Sequence, residues 1–292
     1  MQKQALLGTG MNGLVGSKFK QLFQTKYSFA SLDIRDKTNP VDITQADQVM
    51  QAVAISDAKA LIHLAAFTNV NAAWEQNGDK NGLCYQVNVN GTKNIIDACQ
   101  AHDKHLIHIS TAYVFDGEKQ GLYTEEDNAH PIEWYGQTKW EAEQLVMNSD
   151  INWTILRIDQ PFRLDPFEKT DIAHRIMQGL KDNSLHPMFT NHWFGPTFIE
   201  DFAKVLDYFV RTGSTGLFHA TSGEKWTDYE FATAIKQALE LPGEVKRGNL
   251  ADYLAALERP YQKNTALDNS KLEQVLDFEL KEIDAVISGL QF

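Results

Sequence analysis

The chain has 292 residues, of which 43% are hydrophobic, 11% aromatic and 23% charged. This composition excludes a disordered, collagen-like or disulfide-stapled chain and leaves a globular protein of one large or two smaller units. Lys and Arg number 27 against 39 Asp and Glu, and the resulting net charge of −12 repels phosphate backbones and anionic lipid.

Cys84 and Cys99 match no metal spacing and read as reduced, buried thiols. Met1-Gln2-Lys3 runs straight into an apolar segment, so no signal peptide is expected. The uncharged run from Ala60 to Trp74 is too short and too polar to span a bilayer. A cytoplasmic protein is expected, with neither nucleic acid nor membrane as partner.

Gln4 to Gly8 is a short apolar run that stops at glycines, and Leu14 to Lys26 follows with helical spacing. Tyr27 to Leu32 is apolar and ends at Asp33. Ala46 to Ala54 reads as a short helix, and Ala60 to Ala66 as a strand covered on both faces. Gly82 to Ala101 is helical, His105 to Ser110 a strand, Trp134 to Met147 a helix and Trp153 to Ile158 a strand. This alternation predicts an α/β fold: a doubly wound parallel sheet with helices on both faces, over residues 1–158. Residues 159–292 read as a smaller mixed α/β lobe, with the part from about 195 to 212 returning to the first unit. In it, Ile172 to Leu180, Ile199 to Val210 and Tyr229 to Leu239 look helical. Gly216 to Ala220 looks like a strand, and Leu272 to Leu290 a helical tail.

The sharpest local signal is Gly8-Thr9-Gly10-Met11-Asn12-Gly13-Leu14-Val15-Gly16, between a strand and a helix. Glycines there permit a tight turn and bring backbone N–H groups near a pyrophosphate, whose charge the helix N-terminus stabilises. Asp33 lies 17 residues beyond Gly16, where a carboxylate can accept from adenosine ribose hydroxyls. Ile34 and Arg35 follow it. Asp33 favours NAD, because a carboxylate repels a 2′-phosphate; Arg35 could pair with that phosphate and leaves NADP open. Asp42-Ile43 either contacts the adenine edge or caps the next helix.

Tyr135-Gly136-Gln137-Thr138-Lys139 places a phenol and an ammonium on one helix face. A neighbouring ammonium is expected to lower the phenol pKa and make Tyr135 an acid or base near neutrality. Ser110-Thr111 closes a strand 24 residues upstream, so the Thr111 hydroxyl can meet that of Tyr135 over a substrate oxygen.

These pieces resemble the extended short-chain dehydrogenase/reductases, within them the dTDP-4-dehydrorhamnose reductase branch and related sugar-nucleotide-binding proteins. The matching segments are Thr9-Gly10-x-x-Gly13-x-x-Gly16, Leu64-Ala65-Ala66, Asn88-Val89-Asn90-Gly91-Thr92, Ser110-Thr111-x-Tyr113-Val114-Phe115-x-Gly117 and Tyr135-Gly136-x-Thr138-Lys139. Phe194-Gly195-Pro196-Thr197, Gly216-Leu217-Phe218-His219 and Arg259-Pro260 extend the likeness to about residue 260. The resemblance implies a Rossmann-type fold and a catalytic triad of Thr111, Tyr135 and Lys139. Tyr135 would protonate a carbonyl oxygen as a nicotinamide delivers hydride, and Lys139 would also hold the nicotinamide ribose. Leu64, Ala65, Ala66 and Thr68 would line the cofactor's path, and Asn88 would buttress it. Asn71, Trp74, Ala112, Tyr113, Gln160, Trp193 and Arg259 would lie toward a nucleotide-linked sugar, with a homodimer open.

The departures are as specific. The branch usually has an acidic residue after the threonine, where this chain has Ala112. Its Val-Asp-x-x-Glu segment reads Val70-Asn71-Ala72-Ala73-Trp74, and its Arg-Thr-Ser reads Arg157-Ile158-Asp159-Gln160-Pro161-Phe162. Two expectations follow: an NAD(P)-dependent reductase or epimerase acting on a nucleotide-linked sugar, or a cofactor-binding regulatory subunit without turnover. His102, His105 and His108 are spaced by three but straddle a helix end and a strand, and no metal is expected there.

Overall fold

The computed structural model describes residues 3–255 and 257–292. Strands β1 (Gln4–Thr9), β2 (Tyr27–Leu32), β3 (Ala60–His63), β4 (His105–Thr111) and β5 (Trp153–Ile158) alternate with helices α1 (Leu14–Phe23), α2 (Ala46–Ala54), α3 (Thr92–Ala101) and α4 (Trp134–Met147). Leu83–Tyr85 and a π-helical stretch, Gln86–Gly91, lead into α3. In the second half, α5 (Ile172–Lys181), α6 (Ile199–Thr212), β6 (Gly216–His219) and α7 (Asp228–Ala238) follow. The main sheet has the order β6-β5-β4-β3-β1-β2, and every neighbouring pair is parallel. The chain runs outward from β1 to β2, then crosses to β3 on the other side of β1. That reversal opens a crevice at the carboxyl ends of β1 and β3.

Strand alternation sends successive residues to opposite faces, so both faces must be apolar and both must be covered. Leu6, Ile62, Ile107 and Leu156 pack against Phe19 of α1 and Phe202, Leu206 and Phe209 of α6. Leu7, Leu61, Leu106 and Ile155 pack against Val49 of α2, Ile95 of α3 and Val146 of α4. A separate core in the second lobe gathers Phe162, Ile176, Leu180, Phe194, Phe231 and Ile283.

Three expectations change. The part of the second half that rejoins the sheet is longer than 195–212, because β6 pairs with β5 from Gly216 to His219. The tail is not one helix: Ser270–Glu273 and Ile283–Ile287 are separate short helices. Leu272 anchors the first to the sheet core and Ile283 the second to the lobe core, so the tail bridges two cores and cannot run straight. The strand expected over Ala60 to Ala66 ends at His63, and the residues beyond it form the crevice wall.

Candidate active site

The glycine turn is built by close approach. Gly10 has φ +64°, and a Cβ there would lie 2.7 Å from the amide nitrogen of Ala65. A Cβ on Gly16 would lie 2.5 Å from Met11 Cα, so α1 can start against the turn only with glycine. At Gly13 a Cβ would meet Gly10 O at 3.1 Å and Arg35 Nη2 at 3.8 Å. Gly13 caps α1 without a side-chain hydrogen bond, so the first amides of that helix receive no side-chain acceptor from their cap. Met11 is buried, Leu14 and Val15 are half-buried, and Asn12 Oδ1 accepts from Lys20 Nζ at 2.6 Å.

Asp33 ends β2 nearly buried, accepting from Asn12 N at 3.0 Å and Arg35 N at 2.9 Å. It therefore clamps the turn before any ligand is considered. The Arg35 guanidinium stands 3.9 Å away and Ile34 points outward, 66% exposed. Asp42 does not cap α2, whose cap is Gln45; its carboxylate closes a local turn on Thr44 N and Oγ1, both at 2.9 Å. Ile43 is buried in the core under α3.

The crevice wall after β3 is held by a buried polar chain. Thr92 Oγ1 donates to Asn88 O at 2.7 Å, so it accepts from His63 Nε2 at 3.0 Å. His63 Nδ1 then accepts from Thr9 Oγ1 at 2.7 Å, and that oxygen accepts from Ala65 N at 3.0 Å. His63 is thus a neutral Nε2–H imidazole, and burial, aided by the Lys139 charge, pushes its pKa down to about 3. Asn88 holds the next turn of this wall, accepting from Phe67 N at 2.8 Å and donating to Phe67 O at 3.3 Å. Leu64, Ala65 and Ala66 are half-buried along the wall, and Thr68 is exposed at its mouth.

Thr111, Tyr135 and Lys139 are brought together at the carboxyl end of β4. Glu133 caps α4, accepting from Tyr135 N at 2.8 Å and Gly136 N at 2.6 Å. Gly136 lets that helix end sit on the Tyr113 turn, since a Cβ would lie 2.2 Å from Tyr113 O. The rings of Tyr113 and Tyr135 meet edge-on at 5.8 Å. Thr111 Oγ1 accepts from Tyr113 N at 3.2 Å, and its hydroxyl is close enough to act on the Tyr135 phenol. Lys139 Nζ donates to Ile109 O at 2.8 Å and lies 3.4 Å from His108 Nε2. Two of its three protons are thereby directed at β4.

The pKa tuning expected of this pair is not what burial produces. Desolvation pushes the Tyr135 phenol above its ordinary value; the Thr111 hydroxyl opposes the rise, and the Glu133 charge adds to it. The Lys139 ammonium, which donates to Ile109 O, is not among the largest influences on it. Burial holds Lys139 itself down to about 8, with Glu143 opposing. A phenol so placed stays protonated at neutral pH, the state a proton donor needs.

The residues expected on the substrate side divide. Arg259 is buried, donates from Nε to Asn71 Oδ1 at 3.1 Å and stands 5.0 Å over the Tyr261 ring. Its charge lies beside Glu133, lowering a carboxyl that burial has pushed up to about 7. Gln160 is half-buried with φ 37°, a sparsely populated conformation that turns the chain off β5. Ala112 is fully buried with Val114, Phe115 and Leu267, because the turn after Thr111 directs its methyl into the core; it is not a cleft residue. Trp74 is half-buried at the end of a short helix, outside the cluster that Ala73 joins around Tyr135. Trp193 pairs with Thr227 in a short ladder under the Lys225 ammonium, 4.8 Å from its ring.

Sequence reasoning missed Glu133, His63 and Asp159. Asp159 is buried one residue past the strand position paired with Thr111, and accepts from Thr265 Oγ1 at 2.6 Å and Gly195 N at 3.1 Å. Burial pushes its carboxyl up to about 7. A cap signal, Glu two residues before the tyrosine, was available for Glu133. His63 and Asp159 have no local signal.

Residues 4–289 match the family model described as the RmlD substrate binding domain. The chain belongs to that family. It is an extended short-chain dehydrogenase/reductase of the RmlD type. The chain is 30% identical over 302 residues to dTDP-4-dehydrorhamnose reductase of Aggregatibacter actinomycetemcomitans, covering 98% of each. It is 29% identical over 280 residues to methionine adenosyltransferase 2 subunit beta of Rattus norvegicus, covering 92% of this chain and 81% of that one. The dTDP-4-dehydrorhamnose reductase of Bacillus anthracis, solved in complex with NADP, superposes with a TM-score of 0.88 at 23% identity, covering 98% of each chain, and shares the fold. An RmlD-type chain accounts for the sheet order, the glycine turn and the Tyr135–Lys139 helix together.

Proposed function

We propose that this chain reduces the keto group of a nucleotide-linked deoxysugar at the expense of NADH or NADPH. It is an NAD(P)-dependent oxidoreductase of the extended short-chain type. The observation that carries the reading is the convergence of the Thr111 hydroxyl, a protonated Tyr135 phenol and the Lys139 ammonium at the end of β4, two strands from the glycine turn.

A nicotinamide dinucleotide fits the residues present. A pyrophosphate suits the α1 amides that Gly13 leaves without a side-chain cap, and Asp33 retains lone pairs for ribose hydroxyls. When bound, the nicotinamide supplies the hydride. Thr111, whose oxygen already accepts from Tyr113 N, would turn its proton from the Tyr135 phenol to a substrate oxygen. Tyr135 donates the proton that completes the alcohol. The Lys139 ammonium, one turn along α4, stabilises the negative charge of the phenolate that results, at a site where burial magnifies the interaction. Asp33 favours NAD by repelling a 2′-phosphate, and the Arg35 guanidinium, 3.9 Å from it, leaves NADP open. To Arg259, which is buried and bonded to Asn71, we assign the diphosphate of the substrate.

Among the described residues no helix is long and apolar enough to cross a membrane. Cys84 and Cys99 are free and buried, which suits a reducing cytoplasm; sedimentation would test for a homodimer. The deciding experiment supplies the purified protein with NADH or NADPH and dTDP-4-keto-6-deoxysugars and follows absorbance at the nicotinamide band. Turnover that Tyr135→Phe abolishes supports the reading. Coenzyme binding without turnover, together with a co-purifying enzyme, would favour the regulatory alternative.

A further inference from the structure

The Asp159 carboxyl is a point at which the second lobe meets the end of β5. Ile158, the last residue of β5, pairs with Thr111, and Asp159 follows it. The side chain is buried, and its Oδ2 accepts from two segments of the second lobe at once: Thr265 Oγ1 at 2.6 Å and Gly195 N at 3.1 Å. The Asp159 backbone is held as well. Its N–H donates to Thr197 Oγ1 at 3.1 Å, and its carbonyl accepts from that hydroxyl at 2.7 Å.

The two segments form one unit. Trp193 N donates to Lys263 O at 2.8 Å and Thr265 N to Trp193 O at 2.9 Å, so the stretches around Trp193 and Asn264 run as a short parallel pair. Arg259 lies six residues before Thr265 on the same stretch and reaches Asn71 Oδ1 at 3.1 Å. Tyr261, between them, lies under the Arg259 guanidinium and meets the His192 ring at 5.3 Å. The pair therefore carries Arg259 at one end and is fastened by Asp159 at the other, beside the strand position of Thr111. A buried carboxyl is costly, and the sequence departs here from Arg-Thr-Ser to carry one. What it adds is an acceptor oxygen one atom farther from the backbone than a serine hydroxyl, which takes both donors.

We propose that Asp159 is a positioning residue for the substrate: it fixes the pair formed by residues 193–195 and 259–265 against the end of β5, and so sets where Arg259 stands relative to Thr111 and Tyr135. The inference rests on the reductase reading above and on the assignment of Arg259 to the substrate diphosphate. Asp159 acts through Gly195 and Thr265, not by contact with the reacting atoms. The glycine turn and Asp33 belong to β1 and β2, at the other end of the sheet order. Loosening the pair therefore weakens substrate binding and leaves coenzyme binding and proton transfer in place.

Steady-state kinetics with a dTDP-4-keto-6-deoxysugar, and a fluorescence titration of the coenzyme that the wild type uses, are run on the wild type, Asp159→Ala, Asp159→Asn and Thr265→Val. Asp159→Ala strands two buried donors, and KM for the sugar nucleotide is expected to rise about tenfold, with kcat and the coenzyme Kd near those of the wild type. Asp159→Asn keeps a carbonyl oxygen in place and should recover most of the loss. Thr265→Val removes one donor at nearly constant shape, should raise KM by a smaller factor, and decides the matter if Asp159→Ala does not fold. Unchanged KM in Asp159→Ala, or in Thr265→Val where that variant stands in for it, overturns this inference alone. A coenzyme Kd or kcat that falls away together with KM, or an Asp159→Asn variant as impaired as Asp159→Ala, also overturns it. A wild type that turns over no such substrate overturns the reductase reading and this inference with it.

Discussion

Asn88 and Thr138 are joined by a 3.0 Å hydrogen bond from Nδ2 to Oγ1, which ties the π-helical turn before α3 to the helix that carries Tyr135 and Lys139. Thr138 Oγ1 in turn donates to Tyr135 O at 2.8 Å. Because Asn88 also grips both backbone groups of Phe67, one buried amide sets the crevice wall and the reactive helix relative to each other. Asn88→Leu removes these bonds and strands the Phe67 amide. The expected cost is about 1–3 kcal/mol of unfolding free energy, measured by urea denaturation, with KM for the coenzyme raised alongside it. A variant as stable as the parent, with unchanged KM, would remove Asn88 from this role.

Tyr135→Phe keeps the ring that packs on Tyr113 and loses only the hydroxyl. Turnover should fall by about 10²–10⁴-fold, while coenzyme affinity stays near that of the parent. Steady-state rates and a fluorescence titration on the same preparation read both quantities. Loss of coenzyme binding together with turnover would show that the phenol serves structure rather than proton transfer.

Gly10→Ala places a methyl on a residue at φ +64° and 2.7 Å from the Ala65 amide. The turn must open, moving β1's end away from the wall after β3. Destabilisation of about 1–3 kcal/mol is expected from the conformation alone, and coenzyme binding should be lost at concentrations that saturate the parent. Calorimetric titration of the variant checks it; parental affinity would contradict the placement of the turn.

His63 fixes a pH dependence. Its folded pKa of about 3 lies below the unfolded value of 6.5, so the folded state binds the proton less well. Its contribution is complete above pH 6.5 and is lost as pH falls toward 3. Glu133 and Asp159 work in the opposite sense, since both carboxyls are pushed up to about 7: stability falls as pH rises from the unfolded carboxylate range through 7. They are common to parent and variant and cancel in a comparison. The stability of the parent relative to His63→Phe should therefore be about 2 kcal/mol less favourable at pH 5 than at pH 7. Urea midpoints at the two pH values test this; a difference that does not change with pH would mean that His63 is not a buried neutral imidazole.

What the sequence alone determined is what depends on near neighbours in the chain. The strand–turn–helix entry was legible because Gly10 and Gly16 meet backbone atoms within a few residues or across one strand, where only glycine fits. The β2, α4 and β5 limits were legible from apolar periodicity, and the i, i+4 spacing placed Tyr135 and Lys139 on one face of α4. The family resemblance puts Ala112 toward the substrate because it follows Thr111, but only the turn that follows decides which way a methyl points, and it points into the core. The tail was misread as one helix because its apolar residues answer to two different cores. Tertiary structure alone decided the protonation of the site: desolvation, not the lysine four residues on, dominates the Tyr135 phenol. It also decided that Lys169 reaches Thr68, 101 residues away in sequence. Local geometry follows from torsion and hydrogen-bond limits within a few residues, whereas dielectric and charge balance are sums over every segment that packs around a group.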